Sequence, residues 1–199
     1  MAVIPDIACW ADETASELRR VADFIAAAPI PGYLGEERVR FATLADEAED
    51  AIDRLASDGR IDRDRCLYLF ALDEEADPEA FKRAFNDARQ RTDLKLPQDN
   101  NHVSCVLYVG SSCATSKRKR TLRNRLRQHL ICAPTGTYAL SLAKWSLHLK
   151  GGLIVRAWQY PPAVAGDAGD AAARRIVLAV EDWLAGKLQP MLGRRGSRH

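Results

Sequence analysis

Arg125 and His129 stand four residues apart on the segment from about Arg120 to Ile131, where Leu122, Leu126 and Leu130 mark the buried arc of a helix. At 100° per residue the two fall side by side on one flank of that arc, held by packing, as a pair aimed at a single phosphate would be. Arg123 and Arg127 project from the other flank. Lys117, Arg118, Lys119 and Arg120 precede the helix as a looser basic cluster, suited to attracting a nucleic-acid backbone. On a second segment, Asp170 to about Leu188, the apolar residues Ile176, Val177, Val180, Leu184 and Leu188 define another buried arc, and Glu181 falls at its edge. A buried lone carboxylate is costly. Glu181 therefore needs either an arginine partner or a hard cation such as Mg²⁺ bound through oxygen, with Mn²⁺ as a substitute.

The elements that would position these groups can be read from hydrophobic period and breakers. Cys66–Leu72 is a seven-residue apolar run with the length and flanks of a buried strand, and Val103–Val109 is a second. The second leads through Gly110-Ser111-Ser112 into the basic helix, an order of strand, small polar loop and helix that suits phosphate. Leu153–Tyr160 reads as a third strand, closed by Pro161-Pro162. Asp77-Pro78-Glu79 caps a helix carrying Phe81, Ala84 and Phe85 to about Arg91, and Tyr138–Lys150 reads as another, stopped by Gly151-Gly152. Upstream, helical spacing runs from about Asp12 to Ala28 and from Glu36 to Ser57, with Pro29, Pro31, Gly32 and Gly35 between.

Charge divides the chain. Residues 1–60 hold six Lys and Arg against thirteen Asp and Glu, whereas no acidic residue occurs between Asp99 and Asp167, an interval with ten Lys and Arg. The net charge of +2 conceals this split. The middle of the chain thus expects an anionic partner, and the acidic first sixty residues suit packing on the rest, self-association as a homodimer, or a protein partner. With 199 residues and 47% apolar content, one domain with an appendage is expected. No run approaches a membrane span and the N-terminus lacks a signal peptide's charge pattern, so a cytoplasmic location is expected. The five cysteines contain no C-x-x-C pair and read as free thiols.

Together these motifs resemble the GIY-YIG nuclease family, over roughly Arg65 to Gly196. Cys66-Leu67-Tyr68 stands where that family has Gly-Ile-Tyr, Tyr108-Val109-Gly110 where it has Tyr-Ile-Gly, and Arg125-Leu126-x-x-His129 is similar to its arginine helix in restriction-endonuclease-like members. Glu181 is similar to its metal-binding glutamate, and Leu188–Leu192 to the approach to its terminal motif. Three positions depart from the pattern. Cys66 replaces glycine, about thirty residues separate the two motif strands, and Gly193 stands where an asparagine is expected, so that residue's support is missing or supplied elsewhere.

The resemblance implies an α+β fold: a small three-stranded antiparallel sheet flanked by helices over 61–199, with an inserted helix at about 73–101 and the acidic helical hairpin, 1–60, as an extension. It implies a Mg²⁺-dependent endonuclease that hydrolyses phosphodiester bonds in DNA, with RNA as another candidate, in restriction, phage defence or mobile-element biology. Glu181 would hold the metal, Arg125 add fixed positive charge, and Tyr68 or Tyr108 serve as base, with His129 bonded to a tyrosine or to the phosphate. A rival expectation is a nucleic-acid-binding module that keeps the fold without the reaction. If the strands pair as implied, Tyr68 and Tyr108 share one face.

Overall fold

The computed structural model describes residues 31–58, 61–63, 65–113, 121–134, 136–160 and 169–193, with Ser16, Arg19 and Asp23. The chain divides into two units, Met1–Ile30 and Pro31–His199. In the first, Ser16, Arg19 and Asp23 are helical, and the rest of the helix expected there lies outside the described residues. So do Lys117, Arg118, Lys119 and Arg120, and the tail from Arg194.

The second unit is built on one antiparallel sheet of β1 (Gly32–Arg40), β2 (Cys66–Leu72), β3 (Val106–Ser112) and β4 (Gly152–Gln159), in the order β1-β4-β2-β3. Helices α1 (Leu44–Ala56), α2 (Pro78–Arg89), α3 (Leu122–Leu130) and α4 (Gly169–Leu188) complete it. The apolar run of β2 is buried because it is central, paired with β4 on one side (Leu67 opposite Trp158) and β3 on the other (Tyr68 opposite Gly110). α2 begins as its sequence requires: the Asp77 side chain accepts the Glu79 N–H at 2.9 Å, and Pro78 occupies the first turn. Its Phe81 and Phe85 enter the core beside Phe41 and Trp145. No helix among the described residues is long and apolar enough to cross a membrane.

Five readings change. The sheet has four strands, not three, and the helix expected from Glu36 is strand until Arg40, with the helix confined to Leu44–Ala56. The helical spacing of Phe41, Leu44 and Ala48 predicts a helix reaching back to Glu36. The open backbone edge of β4 overrides it by offering a full ladder, and Gly32–Arg40 therefore join the sheet rather than a second helical arm. Alternating charges keep this new edge soluble: Glu36 pairs with Arg156 at 2.7 Å and Arg54 with Glu37 at 2.7 Å.

The second motif strand starts three residues late, at Val106, where the Ser104 hydroxyl takes the Val106 N–H and Asn101 is left-handed (φ 60°); it runs on through Gly110-Ser111-Ser112, which pair with Tyr68, Leu67 and Cys66. Tyr138–Lys150 is not a helix beyond a short 3₁₀ turn, Leu142–Lys144: Ser141 is left-handed (φ 48°), and both backbone groups of Leu140 bond to side chains elsewhere. Finally, among the described residues of α4 the buried ones are Ile176, Val177, Glu181 and Ala185, while Val180 and Leu184 are half-buried and Leu188 is exposed. Glu181 thus lies on the buried stripe itself.

Candidate functional site

Tyr68 on β2 and Tyr108 on β3 do share a face, their rings 6.4 Å apart and 18° from parallel. Gly110 makes this arrangement fit. It faces Tyr68 across the ladder, and a Cβ there would fall 2.5 Å from the Tyr68 Cζ and Oη and 2.7 Å from Tyr108 Cε1. Its glycine is required by two rings rather than by a turn.

α3 delivers the polar partners. Thr121 caps it by accepting the Asn124 N–H, Leu122 N–H bonds to Arg63 O at 2.7 Å, and Leu122, Leu126 and Leu130 bury one side, each such burial stabilising by roughly 1.5–3 kcal/mol. On the flank His129 is wholly buried, its ring 4.6 Å from that of Tyr108 and 5.6 Å from that of Tyr68. Its Nδ1 accepts the Leu140 backbone N–H at 3.2 Å, which favours the neutral tautomer with the proton on Nε2, the nitrogen that faces both Tyr68 Oη and Arg125 Nη2 at 3.2 Å; in that tautomer His129 donates to Tyr68. Arg125 Nε donates to the same oxygen at 3.3 Å, while Nη1 donates to Gln128 at 2.6 Å. Tyr68 therefore accepts two hydrogen bonds, an arrangement that favours its phenolate. Burial opposes this more strongly than Arg125 helps, and the Tyr68 pKa is raised.

Burial, then the Arg125 charge, holds the His129 pKa well below its usual value. A second proton would have to sit on Nδ1, facing the Leu140 N–H. The unfolded chain takes up that proton near pH 6.5, while the native protein refuses it until far lower pH, so the unfolded state binds more protons as pH falls below 6.5 and stability drops. We expect urea-unfolding free energy to fall by up to about 1.4 kcal/mol per pH unit between pH 6.5 and 5, above the range in which carboxylates titrate. In His129→Gln that slope should vanish, whatever the variant's absolute stability.

α4 packs along β3 and brings Glu181, 7% exposed, to the end of that strand, where the Ser111 hydroxyl donates to Oε2. Its negative charge acts on both Tyr68 and Arg125. On Arg125, burial is outweighed by Tyr68, Tyr108 and Glu181, and the guanidinium pKa is raised. Among the described residues no three His, Cys, Asp or Glu side chains form a cage for a metal. Mg²⁺ commonly uses one or two carboxylates with water and substrate phosphate in its other positions, so a single Glu181 fits that cation. Beyond α4 the chain turns at Gln189 (φ 46°) and is stitched on both sides: Met191 N–H to Val106 O, Leu192 N–H to Leu107 O, Gly193 N–H to Gln98 O. Gly193 then lies against the Tyr108 ring, where a Cβ would come within 2.7 Å of Cε2. Its φ of +92° and this contact disfavour any side chain at this position.

Tyr68, Tyr108, Arg125, His129 and Glu181 are thus brought into one interacting group. Arg123 and Arg127 are not. Arg123 bonds to Asp53 and Ser57, and Arg127 pairs with Glu49 at 2.9 Å, so α1 neutralises the outer flank of α3. The acidic character of that helix, legible in composition, has this packing role. Ser111, Gln128 and Leu140 were missed from the sequence, and for Leu140, which contributes only backbone, no signal exists. Compared with known proteins, the chain matches no family model, no curated protein and no solved structure.

Proposed function

We propose that residues 31–193 form a metal-dependent endonuclease domain of the GIY-YIG type, hydrolysing phosphodiester bonds in DNA. The observation that carries this reading is the pair of donors, Arg125 Nε and His129 Nε2, converging on Tyr68 Oη beside a buried carboxylate. Glu181 would hold Mg²⁺, which when bound supplies positive charge to the phosphate and leaving oxygen. Tyr68, as its phenolate, accepts the proton of the attacking water and returns to the neutral phenol; the two donors favour the anionic form it must hold before that transfer. Arg125, its charge secured by the acidic groups around it, stabilises the negative charge that develops on the phosphate. Tyr108, wedged between His129 and Gly193, holds the Tyr68 ring in place.

The test is supercoiled plasmid incubated with Mg²⁺, Mn²⁺ or a chelator, read as nicked and linear products. Tyr68→Phe should lower the rate about 10²-fold, a general base's contribution, and Tyr108→Phe much less. Because the phenol must lose its proton and its pKa is raised, wild-type turnover should climb with pH through neutrality. Equal losses in the two variants, or turnover that survives the chelator, would defeat the assignment.

A further inference from the structure

We infer that Trp145, which lies outside the reacting group, is a positioning residue that selects the His129 tautomer and through it the proton-accepting state of Tyr68. The inference rests on the nuclease reading for its catalytic consequence, and on geometry alone for the tautomer. Three hydrogen bonds run in series: Trp145 Nε1–H to Leu140 O at 2.7 Å, Leu140 N–H to His129 Nδ1 at 3.2 Å, and His129 Nε2–H to Tyr68 Oη at 3.2 Å. Trp145, Leu140 and His129 are all buried, at 7%, 0% and 0% exposure, so no link competes freely with water.

The surroundings of Nε2 would not choose this tautomer unaided. Arg125 Nη2 lies 3.2 Å from Nε2 and the Tyr68 hydroxyl can also donate, so an Nε2 lone pair would be well satisfied and the proton would rest on Nδ1. The Leu140 N–H aimed at Nδ1 decides otherwise. Leu140 keeps that aim because Trp145 holds its carbonyl, because Ser141 is locked left-handed, and because the Ser141 hydroxyl accepts the Ala133 N–H at 3.3 Å. Trp145 is itself fixed by Phe81 and Phe85, with ring centroids 5.2 and 5.9 Å away, so α2 buttresses it from the core side. The direction of the last bond is the consequence. With the proton on Nε2, His129 donates to Tyr68 and stabilises the phenolate; with the proton on Nδ1 it would instead hold the Tyr68 proton and oppose its loss.

The experiment is ¹⁵N NMR of the His129 ring, with cleavage kinetics alongside. Wild type should show the Nε2–H tautomer and a scalar coupling across the bond between the Leu140 amide nitrogen and Nδ1. Trp145→Phe, which keeps a ring between Phe81 and Phe85, should populate the Nδ1–H tautomer. It should also lower kcat about tenfold, the rate equivalent of one hydrogen bond, with KM unchanged and the rising pH limb moved upward. Replacing Trp145 with benzothienylalanine, isosteric but lacking the N–H, should do the same and serves if the phenylalanine variant misfolds. A wild-type ring protonated on Nδ1, or a variant with wild-type tautomer and pH limb, overturns the inference. If the wild type cuts no DNA, the nuclease reading fails while the ring spectra still decide the tautomer.

Discussion

Glu181→Gln is expected to lower metal-dependent cleavage roughly 10³–10⁴-fold, the several kcal/mol that a correctly held cation contributes, while melting within about 3 °C of wild type. Glutamine keeps the side chain's shape and an oxygen for the Ser111 hydroxyl, but removes the charge that makes an oxygen ligand bind Mg²⁺. The site has no cage of other carboxylates among the described residues to take over. Plasmid cleavage against Mg²⁺ concentration, with calorimetric unfolding of the same samples, checks both halves. Undiminished cutting at saturating Mg²⁺ would remove Glu181 from the reaction. A large fall in melting temperature would assign the carboxylate to packing.

Arg125→Met should cost about 10³-fold in turnover, near the upper end for losing one preorganised charge donor, and should leave substrate affinity less affected. Methionine keeps a long unbranched side chain there yet takes from Tyr68 one of the two donors that favour its phenolate. A second readout follows from electrostatics alone. Burial and Arg125 together depress the His129 pKa, so removing the guanidinium should let it rise toward 6.5 without reaching it, since burial remains the larger cause. The acid window in which the fold loses stability should narrow accordingly. Turnover within tenfold of wild type would show that the phosphate is met by some other cation. An unchanged His129 titration would contradict the contact between the two side chains.

Both predictions concern residues legible before any coordinates. Period-two and period-3.6 patterns place Tyr68 and Tyr108 on strands and Arg125, His129 and Glu181 on helices, because those patterns record which side of an element is buried. Asp77-Pro78 likewise announces α2, since a capping carboxylate and a proline at the first turn act within a few residues of themselves. The reading failed where distant partners compete for the backbone. Glu36–Arg40, read as the start of a helix, instead becomes strand because β4 offers it hydrogen bonds from more than a hundred residues away. The 138–150 segment has a helical pattern and stays irregular because Leu140 gives its N–H to His129 and its carbonyl to Trp145.

The sequence by itself thus determined the types, order and local facing of the chemically active residues, and the sign of the charge on each part of the chain. Only the tertiary structure decided how those charges are spent: Arg123 and Arg127 on the acidic residues of α1, Arg125 on Tyr68 and Gln128. It alone also set which donors face each nitrogen of His129. The physical reason is the same in both cases. A side chain's reach and a ring's protonation depend on which donor faces it in space, and that donor is a backbone amide or a carboxylate whose position no local pattern encodes.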